Sequence, residues 1–251
     1  MVLETFGESM TVKFGPGVNP NLPGTLQQGV VTSPSTIDDC LEIVVAWLES
    51  VAGKTYFTAP LDEFQMQFGK VNHEDDFYQA RMNYFLEYCI LERPMTSSPG
   101  MRSPLSVFLE KNAHMTSGDD QTADYWRRFC GFRHGIFQVV KAGASQITVM
   151  DLLADGELTI SSKSGETLKY FPRKSIFQGF VFGLGDRYML GQGMIIHPEM
   201  ACGQILKFFK NHKKFPRFAA GEIAKLMALT NMRYLRMQHV NPNVIYSQIS
   251  T

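Results

Sequence analysis

Apolar residues change their spacing twice along this chain, and the changes divide it into three stretches. In the first, Ile37, Leu41, Val44, Val45, Leu48 and Val51 recur at helical intervals. Ser35 and Thr36 precede them as N-cap candidates, Asp38 and Asp39 fall in the first turn, and Gly53 lies just past the end. The pattern predicts an amphipathic helix. A second long helix is expected from about residue 74 to 92. Its buried stripe would be Tyr78, Met82, Phe85, Leu86 and Cys89, and Pro94 would stop it. Shorter helices are expected at Pro60–Phe68, Pro104–Lys111 and Thr122–Phe132, the last with Tyr125, Trp126 and Phe129 turned inward, and residues 95–101 read as loop.

From Ile136 to Ile196 the pattern shortens to strands. The runs are Ile136–Val140, Ile147–Leu153, Leu158–Ser161, Ile176–Phe182, Arg187–Leu190 and Met194–Ile196, with glycines at or between their ends. This spacing predicts antiparallel hairpins in a meander or a small, partly closed barrel, and leaves no room for crossover helices. Helical spacing returns at Pro198, a good first-turn residue, and runs to about Lys210. Ile223, Leu226, Met227, Thr230, Tyr234 and Met237 then mark one face of a last long helix. Strands gathered into one run between helices predict an α+β fold: an N-terminal helical layer, a central β-meander or barrel, and C-terminal helices. We expect one domain over 36–251, helical at 36–132, β-rich at 133–197 and helical again at 198–248. Residues 1–35, with four prolines, five glycines and no periodicity, read as an extended arm.

The formal net charge is zero, but its distribution is uneven. Residues 38–92 hold eleven Asp/Glu and three Lys/Arg, whereas 207–251 hold eight Lys/Arg and the single acid Glu222. The basic end opens with Lys207, Lys210, Lys213, Lys214 and Arg217, interleaved with Phe208, Phe209 and Phe215. Cations with exposed aromatics suit phosphates and stacked bases, or an acidic protein surface. The same residues also suit a solvated helix end, with Phe208 or Phe209 turned into the core. The acidic and basic ends could equally attract one another, within a molecule or between protomers.

Candidate chemistry is sparse. His197-Pro-Glu199 has the His-x-Glu form of zinc deaminases, but the two further thiolates of that site are missing because no cysteine follows Cys202. The other histidines are scattered. Asp75 and Asp76 read as helix-start acids, not cation ligands. Gly179, Gly183, Gly185, Gly191 and Gly193 match neither a Walker loop nor a dinucleotide fingerprint and read as turns and bulges. Cys40, Cys89, Cys130 and Cys202 are widely separated, which predicts unpaired, mostly buried thiols in a reducing compartment. With no continuous apolar span and no signal-like start, the sequence predicts a cytoplasmic protein that uses no cofactor and no membrane.

The runs at 85–93, 103–110, 135–140 and 151–157, with the glycine hairpin at 179–193, resemble a group of uncharacterised bacterial proteins. Some of these carry a SEC-C type cysteine-rich zinc tail, which is absent here and replaced by the basic helical end. The resemblance implies the order helix, short docking helix, strand, Asp-Leu-Leu turn and second hairpin, and it implies no activity. The function expected from the residues is non-enzymatic binding or adaptor work, with a basic C-terminal surface acting on an acidic protein or RNA. An enzyme or small-ligand sensor with a pocket between sheet and helices is the alternative, and a structural homo-oligomer is another.

Overall fold

The computed structural model of the chain describes residues 34, 36–95, 102–118, 120–161, 168, 171–214 and 218–250, with the side chains of Lys214 and Ser250 excepted. Apart from Pro34 and Met95, the expected N-terminal arm and the 95–101 loop lie outside these residues. The N-terminal layer comprises α1 (Ile37–Ala52), α2 (Thr58–Phe68), α3 (Tyr78–Leu91), α4 (Pro104–Lys111), the short α5 (His114–Ser117) and α6 (Gln121–Cys130). The first helix starts as its sequence dictates. Thr36 Oγ1 accepts from Asp39 N at 3.1 Å and Asp39 Oδ2 accepts from Thr36 N at 2.9 Å, a reciprocal cap. Ser103 and Asp120 cap α4 and α6 in one direction only, their side chains accepting from Ser106 N and Ala123 N.

α3 begins later than its sequence suggests. Phe77 takes a left-handed conformation (φ 66°), so Asp75 and Asp76 fall in the preceding turn and not in the first helical turn. Nor does α3 have a single buried stripe. Arg81, Asn83, Tyr84, Phe85, Leu86, Glu87, Cys89, Ile90 and Leu91 are all buried, because helices cover one side of α3 and strand β5 the other.

The strands are β1 (Arg133–Ala142), β2 (Gln146–Asp151), β3 (Gly156–Ser161), β4 (Ile176–Leu184) and β5 (Arg187–Ile196). They close into a barrel in the order β1-β2-β3-β5-β4, with β4 returning to β1. The hairpins are antiparallel as expected. Closure adds a parallel seam, where Ile160 faces Tyr188 and Ser161 faces Met189. Three consecutive strands with the fourth returning beside the first make a Greek key. Alternate residues, among them Phe137, Val139, Ile147, Val149, Leu158, Ile160 and Phe177, fill the interior. The opposite face of β4 is buried too, with Phe180 and Phe182 against the N-terminal helices and Ile176 against the C-terminal ones. Burial on both sides explains why this strand reads as an almost unbroken apolar run.

The glycines divide by location. Gly185, in the β4–β5 turn with φ +64°, is a turn glycine as expected, and the pairing shifts register between Gly179 and Val181. Gly191 and Gly193 lie opposite that shift, at a bulge of β5 as expected, but the strand continues through them and joins two segments expected to be separate. A Cβ on Gly191 would meet Glu87 Oε1 at 2.5 Å, and one on Gly193 would collide with the backbone of Tyr84 and Asn83. The two bare positions are what let α3 lie directly on the strand.

The C-terminal layer comprises α7 (Cys202–Lys214), α8 (Ala220–Arg236) and α9 (Pro242–Ser247). Ile205, Phe208, Phe209, Ile223, Met227, Ile245 and Tyr246 pack there against Ile136, Leu152 and Ile176 of the barrel. No helix among the described residues is long and apolar enough to cross a membrane.

Candidate functional site

α7 presents the basic segment. Its inner face is Ile205, Phe208 and Phe209, and the two rings meet edge to face with centroids 5.4 Å apart. Lys207, Lys210 and Lys213 emerge exposed from the outer arc. Lys213 Nζ reaches Asp155 Oδ1 at 2.5 Å, tying the helix to the β2–β3 turn of the barrel. Lys214 continues the helix, but its side chain, together with Phe215 and Arg217, lies outside the described residues.

Phe208 and Phe209 are core residues, 4% and 3% exposed. Burying a phenylalanine is worth roughly 1.5–3 kcal/mol, as much as the roughly 1–3 kcal/mol a stacked base returns. Neither ring gains by leaving the core to stack. The aromatic surface of this region is instead at His212 and Phe218. His212 lies nearly parallel to Phe208 at 5.9 Å, and Phe218, 41% exposed, lies over His212 at 6.4 Å.

The acidic and basic ends do meet within the molecule, through residues other than the 207–214 run. Arg236, in the last turn of α8, grips Asp75 with both terminal nitrogens and also donates to Lys70 O at 3.1 Å. This contact holds the Asp75 carboxyl below its ordinary range against the opposing effect of burial.

Beneath the surface a polar belt surrounds α3. Glu87 Oε1 accepts from Gln192 N at 2.8 Å and Gly193 N at 3.2 Å, while Oε2 has no partner. Burial pushes this carboxyl up to about 8, although the two N–H donors oppose the shift. His134 bridges Glu92 (Nδ1 to Oε2, 2.8 Å) and Tyr84 (Nε2 to Oη, 2.7 Å), and Gln178 Nε2 donates to the same phenol at 2.6 Å. The chain carboxylate–imidazole–phenol has the order of a proton relay, but Tyr84 is fully buried and ends it in the core.

His197 is buried with Nδ1 2.8 Å from Tyr246 Oη, while Glu199 points to solvent, so the His-Pro-Glu segment converges on nothing. Asp151 caps its own turn, accepting from Leu153 N at 2.9 Å and Ala154 N at 3.1 Å. His134, His197 and Asp151 thus occupy three separate hydrogen-bond networks. Among the described residues no group of three or more His, Cys, Asp or Glu is arranged to hold a metal ion. Cys40 and Cys89 are buried in the N-terminal core, and burial raises every cysteine thiol above its ordinary value.

Arg81, Asn83 and Glu87 give no sign of burial in the sequence, because each interrupts an apolar stripe as a surface residue would. Gln178 was more visible, as a lone amide in the run Ile-Phe-Gln-Gly-Phe-Val-Phe. Comparison with known proteins adds no relative: no family model, curated protein or solved structure matches this chain. The resemblance drawn above therefore rests on the quoted runs alone.

Proposed function

We propose that this chain is a non-enzymatic binding protein that engages single-stranded nucleic acid through the outer face of α7. The observation that carries this reading is the exposure of Lys207, Lys210 and Lys213 on one side of a helix whose other side is locked into the core. Because the helix is already ordered, the row of ammonium groups attracts phosphates at the cost of side-chain ordering alone. Two further features favour nucleic acid over an acidic protein. The Lys213–Asp155 contact places the row beside a five-stranded Greek-key barrel, an architecture that in OB-folds binds oligonucleotides and oligosaccharides; this support is by fold analogy. Phe218 also offers an exposed ring close to the same helix. The enzyme or sensor reading draws no support from His134, His197 and Asp151, which stay apart.

The test is anisotropy of a labelled single-stranded RNA titrated with protein across a salt series. Binding should weaken linearly in log–log form. Lys207→Glu with Lys210→Glu should lower affinity at least tenfold and flatten the slope by about 1.4, the value for two phosphate contacts on a single strand. No binding at low salt would reject nucleic acid and redirect the basic face to an acidic protein.

A further inference from the structure

Arg81 is 2% exposed, and its surroundings contain an unbalanced set of hydrogen bonds. Nη2 donates to Asn231 Oδ1, whereas Nη1 is buried without an acceptor. Asn231 Nδ2 donates to Ile196 O at 2.9 Å and lies 3.4 Å from Tyr246 Oη, to which it can also donate. With its oxygen accepting from Asn231, the Tyr246 phenol turns its own hydrogen toward His197 Nδ1, 2.8 Å away. That assigns the imidazole proton to Nε2, which is likewise buried with no partner. Two buried donors, on a guanidinium and an imidazole joined through Asn231 and Tyr246, thus have no protein acceptor.

The charge here is unbalanced in the same direction. Burial lowers the Arg81 pKa to about 10, which still leaves it protonated at neutral pH. Burial first and the Arg81 charge second push His197 down to about 3, so the imidazole is neutral. Asp75, the acid whose charge Arg81 feels, is already gripped by Arg236. Two guanidiniums thus share one carboxylate, and the buried one lacks a counter-charge. A water molecule would satisfy the donors but not the charge, and an uncompensated buried charge is costly.

We propose that Arg81 Nη1 and His197 Nε2 bind a small monovalent anion of the halide class, enclosed between α3, the end of β5, α8 and α9. The anion closes the electrostatic balance at the point where the C-terminal helices meet α3, so its occupancy sets how firmly that layer is held.

Crystals of the full chain grown in sodium bromide, with data collected at the bromine absorption edge, test this directly. The expected result is an anomalous peak in contact with both nitrogens. A water there, or bromide only at surface positions, would overturn the proposal. In solution, replacing gluconate by chloride at constant ionic strength should raise the Tm by about 2–4 °C once halide exceeds its Kd several-fold. Arg81→Gln should abolish the rise. An equal rise in the variant would refute a site at Arg81, and if the variant fails to fold the bromide peak decides alone.

Discussion

A methyl group on Gly193 would collide with the backbone of α3, and no side-chain rotation could relieve it because the obstructing atoms are main chain of Tyr84 and Asn83. Overpacking in a dense core costs about 1–3 kcal/mol. Gly193→Ala is therefore expected to lower urea-unfolding stability by about 3 kcal/mol. Gly203, near the start of α7, has nothing within 4 Å of a Cβ, and Gly203→Ala is expected to gain up to about 0.5–1 kcal/mol. A similar loss in both variants would show that α3 is not seated on β5 through the bare glycine. The pair separates two glycines that look equivalent in the sequence.

At the scale of elements, α3 is the member every layer shares, and Glu87 is the polar group it carries into its seam with β5. The native state keeps this carboxyl protonated up to about pH 8, whereas its ordinary value is 4.5. Between these limits the unfolded chain binds fewer protons than the folded one, so Glu87 makes the protein less stable as pH rises. The effect is about 1.4 kcal/mol per pH unit at most and levels off above the folded value. Glu87→Gln keeps an oxygen for the Gln192 and Gly193 N–H groups and removes the titration. Denaturant midpoints from pH 5 to 9 should therefore fall less steeply in the variant than in the wild type. Parallel curves would show that the carboxylate is solvated and that the α3–β5 seam is looser than its packing implies.

For the whole molecule, the relevant property is how the layers are coupled. Trp126 is buried in the N-terminal helical cluster and Trp47 packs against it, while Phe180 and Phe182 of β4 belong to the same cluster. Tyr84 touches His134 of β1 and Gln178 of β4, and Arg81 reaches Asn231 of α8. Because α3 is bonded to both barrel and C-terminal helices, we expect one cooperative transition. Tryptophan fluorescence, which reports the helical layer, and far-UV circular dichroism, which reports all three, should give coincident urea curves. Fluorescence changing first would mean that the N-terminal layer unfolds by itself.

What the sequence determined by itself was everything that local spacing controls. The α+β order, α1 with its Thr36 cap, α4 behind Ser103 and Pro104, and the positions of the first four strands follow from periodicity and end signals, which act within a few residues. The short α5 and α9 were not legible, since four to six residues hold less than two turns of pattern. For the candidate site, the run of lysines was legible but its geometry was not. Helical spacing allowed Phe208 or Phe209 to face either way until the barrel and α8 supplied a surface for both. Only tertiary structure decided that β5 continues past a bulge at two glycines, that β3 meets β5 in parallel, and that Arg81 and Glu87 are buried. Each of these depends on a partner tens of residues away, and no local pattern encodes which distant backbone will come close enough to need a glycine or enclose a charge.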